Sequence, residues 1–407
     1  MGRKSIFRFA FSFIILILFL PIPVFSYTND SPYEWPEANP DDYGFTSTER
    51  SICYSRAEDM PWLRSVLVIK EGHLLIEWYF NDGSKTEAFH IHSASKSFMS
   101  ALIGIAFREG ILQSLDQKLV DFFPEYFTPE MDQRKENITI KHLLTMKAGF
   151  AFSEGNDEWV SYVSSENWVK YAMELPLLYD PGEFFHYGTV QTNLLSAILT
   201  RAANMSTRDF AEEHLLNPLG ISISHWHQDP QGYYTGGHEM YFVPRDMARF
   251  GYLFLNNGSI EGEQLIPSEW VQLSLTDYRG ADLIETRGYG FQWWLQYLSG
   301  FNTFSARGLG GQFIYCIPDL DMVVVTTATG SIFDTYPNQS TETTQLVGSI
   351  LQYFVQEHQN STATDDSSTS LDDGSFIEIG IFAAFMVSAT LIVSVAYIRK
   401  RRMLSNA

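Results

Sequence analysis

One serine and one lysine, Ser93 and Lys96, stand three residues apart at the start of an apolar run. From Phe98 to Ala106 the apolar residues recur at the spacing of a helix. A helix with Ser93 in its first turn would place the Ser93 hydroxyl and the Lys96 amine on one face, one turn apart. A desolvated lysine can lose its own proton and then accept the proton of a serine. The pair therefore predicts covalent serine catalysis without a His/Asp triad.

The surrounding elements indicate how this pair is positioned. Two β-rich runs, 65–70 and 74–80, flank a Gly-bearing turn and predict a hairpin just before the helix. The middle of the chain is mainly helical, and an amphipathic helix is predicted over 341–357. Three further β-rich runs precede that last helix: 302–306, 312–317 and 322–327. We expect an α+β fold in which the hairpin joins the last strands in one antiparallel sheet, flanked by helices and a helical lobe.

The two ends of the chain predict its compartment. Residues 1–26 combine basic residues, an uncharged apolar run and small residues, which is typical of a secretory signal peptide. An uncleaved anchor is the alternative. Near the other end, Ile379–Ile398 carries no charge and is long enough to cross a bilayer of about 30 Å. The basic cluster Arg399–Arg402 follows directly, so the positive-inside rule places it in the cytoplasm.

These signals predict five segments. They are a signal peptide (1–26), a globular domain (27–357), a flexible stalk (358–375), a transmembrane helix (376–398) and a cytoplasmic basic tail (399–407). We therefore expect a single-pass protein of the cell membrane with an extracellular globular domain.

Composition limits the partners. The 407 residues carry a formal net charge of −21, which argues against nucleic acid because such binding needs a positive surface. Only two cysteines occur, Cys53 and Cys316, and the sequence does not decide whether they pair. Six Asn-x-Ser/Thr sites permit glycosylation, at Asn29, Asn137, Asn204, Asn257, Asn338 and Asn360.

Several stretches together resemble one enzyme family. The Ser-x-x-Lys match alone is a weak signal, but six further segments occur with it over roughly residues 55–355. The segments are 139–149, 181–187, 218–220, 244–251, 289–294 and 306–312. Their order and spacing resemble the serine hydrolases related to class C β-lactamases, penicillin-binding proteins and esterases. The later segments are most similar to the branch containing 6-aminohexanoate-dimer hydrolase, an amidase and esterase.

The resemblance implies roles for matching residues. Ser93 would be the acylated nucleophile, and Lys96 would accept its proton. Tyr187 matches the tyrosine that begins the second sequence motif of the family. It would relay that proton, or act as partner base and then as acid to the leaving group. The backbone N–H groups of Ser93 and Leu309 would form the oxyanion hole, since Leu309 follows the third-motif glycine, Gly308. No cofactor is expected.

Two positions depart from the family pattern. The second motif usually reads Tyr-x-Asn or Tyr-x-Ser, and Thr189 stands at its third position. The third motif usually begins with Lys or His, and Ala306 stands there. Because that cation helps β-lactamases to hold a substrate carboxylate, its absence disfavours a dedicated β-lactamase or D-alanyl-D-alanine peptidase. Arg307 is a poor replacement because adjacent strand residues point to opposite faces.

Four residues are candidates for lining the substrate pocket: Thr189, Ala306, Gly308 and Trp159. For Trp159, packing within an exposed loop is equally plausible.

Each candidate residue could also have a purely structural role. Ser93 is also a suitable helix N-cap, Lys96 a suitable solvated helix lysine, and Tyr187 a suitable core aromatic. A metal site is a weak interpretation of the cluster His225, His227, Asp229 and His238, because no helical ligand motif accompanies it.

Two functions follow from the sequence. We expect a membrane-anchored extracellular hydrolase of esters, amides or small peptides, and no metal or nucleic acid as partner. The alternative is a non-catalytic binding or scaffold module on the same fold, for which the departures at Thr189 and Ala306 are the support.

Overall fold

The computed structural model describes residues 33–154, 157–280, 287–330 and 336–365. The chain divides into two units, Met1–Glu357 and His358–Ala407, and the site described below belongs to the first. The predicted signal peptide and transmembrane segment lie outside the described residues. Within the part of the chain that is described, no helix has the length and apolarity needed to span a membrane. The five predicted segments therefore stay predictions.

Twelve strands and eleven α-helices occur among the described residues. The strands are β1 (Leu63–Lys70), β2 (His73–Tyr79), β3 (Phe89–His90), β4 (His225–Trp226), β5 (Met240–Phe242), β6 (Ser259–Ile260), β7 (Glu263–Gln264), β8 (Arg287–Tyr289), β9 (Trp294–Leu298), β10 (Phe301–Gly308), β11 (Gln312–Ile317) and β12 (Met322–Ala328). The helices are α1 (Ser47–Glu58), α2 (Ser95–Arg108), α3 (Leu119–Phe122), α4 (Ile140–Leu144), α5 (Asp157–Val163), α6 (Trp168–Glu174), α7 (Thr189–Ala203), α8 (Thr207–Ala211), α9 (Pro244–Leu255), α10 (Ser268–Ser274) and α11 (Gln339–Asp365).

The main sheet has seven strands in the order β2-β1-β12-β11-β10-β9-β8. Strand β1 pairs antiparallel with its hairpin partner β2 and with β12, so that Val68 faces Val324 across the ladder. The predicted antiparallel sheet, with helices on its faces, is confirmed. Strand β9 was not predicted, because every one of its residues is half-buried or exposed and no clear alternation results.

Two apolar layers cover the sheet, one on each face. Alternate residues of β1 supply them: Leu67 belongs to the layer that contains α2 and α9, and Val66 to the layer that contains α1 and α11. The cysteines follow the same division, since Cys53 lies in the α1 layer and Cys316 in the α9 layer. Both are buried and free, so they form no disulfide.

Helix α2 is the central element of the larger layer. Its residues from Ser95 to Ala106 are all buried, which is typical of a helix surrounded by other elements rather than lying at a surface. A short 3-10 turn, His92–Ala94, precedes it. The helix therefore begins two residues later than the sequence suggested. Its N-cap is Ala94, which makes no side-chain capping bond, so Ser93 is not the cap of this helix.

A small second sheet, β3-β5-β4, lies beside this turn. Its strands are two or three residues long, too short to produce a recognisable pattern in the sequence. In this sheet His90 pairs with Tyr241, which ties the segment just before Ser93 to the segment around residue 240.

Candidate active site

Ser93 lies in the 3-10 turn, and its backbone neighbours are held tightly against the end of β10. A Cβ atom added to Gly308 would lie 2.1 Å from the carbonyl oxygen of Ile91, so only glycine permits this approach. His92, directly before Ser93, has a φ of 48°, a left-handed conformation that non-glycine residues rarely adopt. Strain of this kind persists only where the surroundings enforce it. The turn that presents Ser93 is thus built by a glycine contact and a strained residue.

Lys96 is the most fully enclosed charged residue of the site, with 1% of its surface exposed. Its Nζ donates to Ser93 Oγ at 3.0 Å, to Thr189 Oγ1 at 2.9 Å and to the carbonyl oxygen of Gly237 at 2.9 Å. Burial lowers the pKa of Lys96 to about 8, and the carboxylate of Glu154 opposes that shift. Three acceptors satisfy an ammonium fully, and loss of one proton leaves a lone pair available to the Ser93 hydroxyl.

Tyr187 lies just before α7, with its ring 5.0 Å from Lys96 Nζ. Burial raises the pKa of the Tyr187 hydroxyl above its usual range, Glu154 adds to the increase, and a hydrogen bond with Ser93 works against it. Tyr187 is therefore a neutral phenol at rest, able to donate a proton. Its ring packs against Trp294 and Tyr289, with centroids 5.7 and 6.2 Å away, which fixes its direction.

Thr189 begins α7 and links two parts of the site. Its hydroxyl accepts the hydrogen bond from Lys96, and its backbone N–H donates to Glu154 Oε1 at 2.5 Å. A carboxylate is favourable there because the first N–H groups of a helix have no partner within the helix. Threonine thus supplies a hydroxyl acceptor for Lys96 at the third position of this motif. Sequence reasoning missed Glu154, which lies in a region without clear periodicity.

The loop at Gly237 was also missed. Its carbonyl accepts from Lys96, and its N–H donates to Asn193 Oδ1 at 2.9 Å. A Cβ at Gly237 would lie 2.6 Å from Thr189 Cγ2, so the loop presses directly against α7. The pair Gly236-Gly237 was the available signal, since adjacent glycines often mark a close approach of backbone to another group.

A cleft of about 690 Å³ opens above Ser93. Its lining residues are His90, His92, Ser93, Glu154, Trp159, Tyr187, Thr189, His238, Glu239, Trp294, Arg307, Gly308, Leu309, Phe313 and Ser340. The structure thus brings Ser93, Tyr187, Thr189, Gly308, Leu309 and Trp159 together at one cleft.

Ala306 does not line the cleft among the described residues, contrary to the expectation for this position. It is fully buried and packs in the α2 layer, because its short methyl side chain ends inside that core. Arg307 points to the other face of β10, where its guanidinium donates to the Tyr315 hydroxyl at 2.7 Å and to Thr344 Oγ1 at 3.1 Å. Arg307 also lines the cleft, with its guanidinium already engaged by these two hydroxyls.

His225, His227, Asp229 and His238, the weak candidates for a metal site, do not come together to bind an ion. Asp229 Oδ1 accepts the backbone N–H groups of Gln231 and Tyr233, both at 2.9 Å, and so stabilises a local turn. His225 packs edge-on against Tyr241, whereas His238 lines the cleft. Within the described ranges no group of three or more His, Cys, Asp or Glu side chains is arranged to hold a metal ion.

Comparison with known proteins gives consistent matches. The family model described as β-lactamase matches residues 65–344. An uncharacterised protein of Alkalihalophilus pseudofirmus is 25% identical over 248 residues, which are 57% of this chain and 70% of that protein.

Two solved structures share the fold. A Bacillus anthracis protein described as a 6-aminohexanoate-dimer hydrolase has a TM-score of 0.61 at 19% identity, covering 79% of this chain and 90% of that one. A penicillin-binding protein homologue from Caulobacter crescentus has a TM-score of 0.60 at 15% identity, covering 79% of this chain and 100% of that one.

Proposed function

Since this chain belongs to the β-lactamase family of serine hydrolases, we propose that it cleaves ester or amide bonds through an acyl-enzyme on Ser93. The family resemblance seen in the sequence motifs is confirmed by that membership. One observation carries the proposal: the Lys96 amine lies 3.0 Å from the Ser93 hydroxyl in a site that excludes water from the amine. Such a pair activates a serine without a histidine.

The proposed acylation step moves one proton and exchanges one bond. Neutral Lys96 takes the proton of Ser93 as Oγ attacks the carbonyl carbon, and the backbone N–H groups of Ser93 and Leu309 stabilise the resulting oxyanion. Donors of this kind typically contribute about 3 kcal/mol each. Tyr187 then gives its proton to the leaving oxygen or nitrogen and recovers one from Lys96. Water attacks the acyl-enzyme in the second half of the cycle and regenerates Ser93.

The size of the cleft and part of its lining support small substrates with apolar portions beside the scissile bond. A volume of about 690 Å³ lies in the range of small-molecule sites. Trp159, Trp294 and Leu309 supply apolar wall, and Leu309 is 47% exposed. The third-motif position holds buried Ala306 rather than a cation, which disfavours substrates anchored by a carboxylate, such as β-lactams.

The departure at Thr189 does not favour a binding module over an enzyme. A relic of a catalytic site has no reason to keep an acceptor for the lysine, and Thr189 Oγ1 accepts from Lys96 at 2.9 Å.

We further propose that the domain is extracellular and anchored to the cell membrane by the C-terminal segment. The support is the sequence of residues 1–26 and 376–402, outside the described residues. Within them, the side chains of Asn137, Asn204, Asn257 and Asn338 are all exposed, as glycan acceptors must be. Expression of the full chain in a eukaryotic cell should give a band that N-glycosidase shortens, and intact cells should lose the domain to external protease. A band unchanged by both treatments contradicts this location.

A fluorophosphonate probe tests the activity. It should label the protein, Ser93→Ala should abolish labelling, and Ser51→Ala, an exposed serine of α1, should leave it unchanged. A p-nitrophenyl ester should release a burst of product that matches the enzyme concentration. Labelling that survives Ser93→Ala in a normally folded variant rules out the assignment.

A further inference from the structure

We propose that His238 and Glu239 form a subsite for a protonated amine carried by the substrate. The inference rests on the proposed hydrolase function and deepens it, since it names a substrate class. Both residues line the cleft above Ser93. They follow directly after Gly237, whose carbonyl oxygen is 2.9 Å from Lys96 Nζ, so the subsite adjoins the reacting groups. The amine would therefore lie close to the scissile carbonyl along the substrate.

Glu239 presents a carboxylate that is largely removed from solvent, and no counter-ion pairs with it among the described residues. Its side chain is 34% exposed, and burial raises the pKa of the carboxyl. Its backbone has a φ of 62°, the left-handed conformation that disfavours a side chain of this size. A strained residue with a desolvated charge at a cleft wall is typical of a binding function rather than of fold stability.

The neighbouring His90 does not neutralise this carboxylate, although its Nε2 lies 3.5 Å from Glu239 Oε1. The same Nε2 accepts the backbone N–H of Glu239 at 3.0 Å, which places the ring proton on Nδ1. Burial lowers the pKa of His90 and of His92, so both imidazoles are neutral. The contact between His90 and Glu239 is therefore not an ion pair.

His238 adds a second acceptor whose capacity is unused. The residue is 7% exposed, and neither Nδ1 nor Nε2 has a hydrogen-bond partner among the described residues. Its ring is held edge-on against Trp159, with centroids 5.0 Å apart, so it is positioned rather than free to turn outward. A buried polar atom without a partner is costly, and a ligand that pairs with it recovers that cost. Burial lowers the pKa of His238 to about 3, which leaves a nitrogen lone pair to accept a proton donor.

A protonated amine matches this pair of acceptors. It brings three N–H donors and one positive charge, which suits a carboxylate beside a neutral imidazole. A carboxylate-bearing substrate would meet like charge from Glu239 and Glu154, whereas the guanidinium of Arg307 in the same lining is engaged by Tyr315 and Thr344. A metal ion is a poorer occupant, because no group of three ligating side chains is present among the described residues.

Three fluorophosphonate probes with tails of equal length test the subsite. One tail ends in a primary ammonium, one in a methyl group and one in a carboxylate. The second-order rate constant for Ser93 labelling should be roughly tenfold higher for the ammonium probe than for the methyl probe, and lowest for the carboxylate probe. The ammonium preference should decrease at high salt because Glu239 is partly exposed.

Variants assign the preference to the two residues. Glu239→Gln should bring the ammonium-to-methyl ratio close to one, whereas Glu239→Asp should retain part of it by keeping the charge. His238→Phe should lower the ratio several-fold. Glu58→Gln, which removes an exposed carboxylate of α1, should leave the ratio unchanged. Glu239→Asn, which tolerates the left-handed backbone better, replaces Glu239→Gln if the latter misfolds.

The outcomes separate the two proposals. Equal labelling by the three probes, or a preference that survives both Glu239→Gln and Glu239→Asn, overturns the amine subsite and leaves the hydrolase assignment standing. No labelling of Ser93 by any of the probes overturns the hydrolase assignment itself.

Discussion

The Nζ atom of Lys96 lies 3.0 Å from the Oγ atom of Ser93, across the junction of a 3-10 turn and helix α2. Two other segments complete its surroundings, through Thr189 Oγ1 and the carbonyl oxygen of Gly237. The amine is thus held in one place by the neighbouring turn and by two distant parts of the chain. Because the same packing removes water, it also adjusts the acidity of the amine.

The activity should rise with pH through the titration of Lys96. Burial lowers the pKa of this lysine to about 8, and only the neutral amine can accept the Ser93 proton. We expect kcat/KM for a p-nitrophenyl ester to increase with unit slope below about pH 8 and to level off above it. Lys96→Arg, which stays charged, should lose at least about a thousandfold in kcat/KM. A flat profile between pH 6 and 9 would show that Lys96 is not the base.

The stability of the protein should report the same titration. The pKa of Lys96 is about 8 in the folded chain and 10.5 as the ordinary value, so between these pH values the unfolded chain binds more protons. The free energy of unfolding therefore rises with pH in that window. Relative to Lys96→Met, which cannot titrate, the wild type should gain up to about 3 kcal/mol from pH 7 to 10.5. Urea unfolding of both proteins at each pH measures the difference, and a constant difference contradicts the assignment.

Thr189 should influence the acidity of Lys96. Its hydroxyl accepts from the ammonium and so favours the charged form. Thr189→Val removes that acceptor at nearly constant shape, and the midpoint of the pH–rate profile should shift to lower pH. Thr189→Ser keeps the hydroxyl and should keep the midpoint. If the valine variant has the wild-type midpoint, the hydrogen bond does not contribute to the pKa.

Gly308 should matter for activity through its contact with the serine turn. In Gly308→Ala the new Cβ would meet the Ile91 carbonyl oxygen at 2.1 Å, so the end of β10 must move and take the Leu309 N–H with it. We expect kcat to fall by about a hundredfold or more, since oxyanion donors act only in the correct position. Gly262→Ala, in the turn between β6 and β7, is the control for backbone strain away from the cleft: its φ is 84° and its added Cβ meets nothing within 4 Å, so it should lose stability but retain its kcat. Equal kcat in the two variants would remove Leu309 from the proposed oxyanion hole.

Features that depend on neighbouring residues were predictable from the sequence. The spacing of Ser93 and Lys96 predicts their contact, because three residues span about one helical turn. The hairpin of β1 and β2 follows from two β-rich runs around a glycine turn. Alternation along β10 predicted that Ala306 and Arg307 point to opposite faces, and Ala306 packs in the α2 layer whereas Arg307 bonds the Tyr315 hydroxyl.

Tertiary structure alone decided the rest of the site. Gly237 is 141 residues from Lys96 in the chain, and no periodic pattern connects them. Gln292 shows the same principle: its side chain bonds the carbonyl oxygens of Leu143 and Leu144 and the Thr192 hydroxyl, joining α4 and α7. Such contacts form only when buried polar groups must find partners after the apolar layers have packed.

The sequence by itself therefore determined the fold class and the contact between Ser93 and Lys96, which depend on local backbone geometry. The surroundings of that pair needed the folded chain: the carboxylate of Glu154, the unpaired imidazole of His238 and the strained turn at His92. Burial, and with it the pKa of Lys96, depends on every element packed around a group, so it is a property of the assembled core rather than of any one stretch.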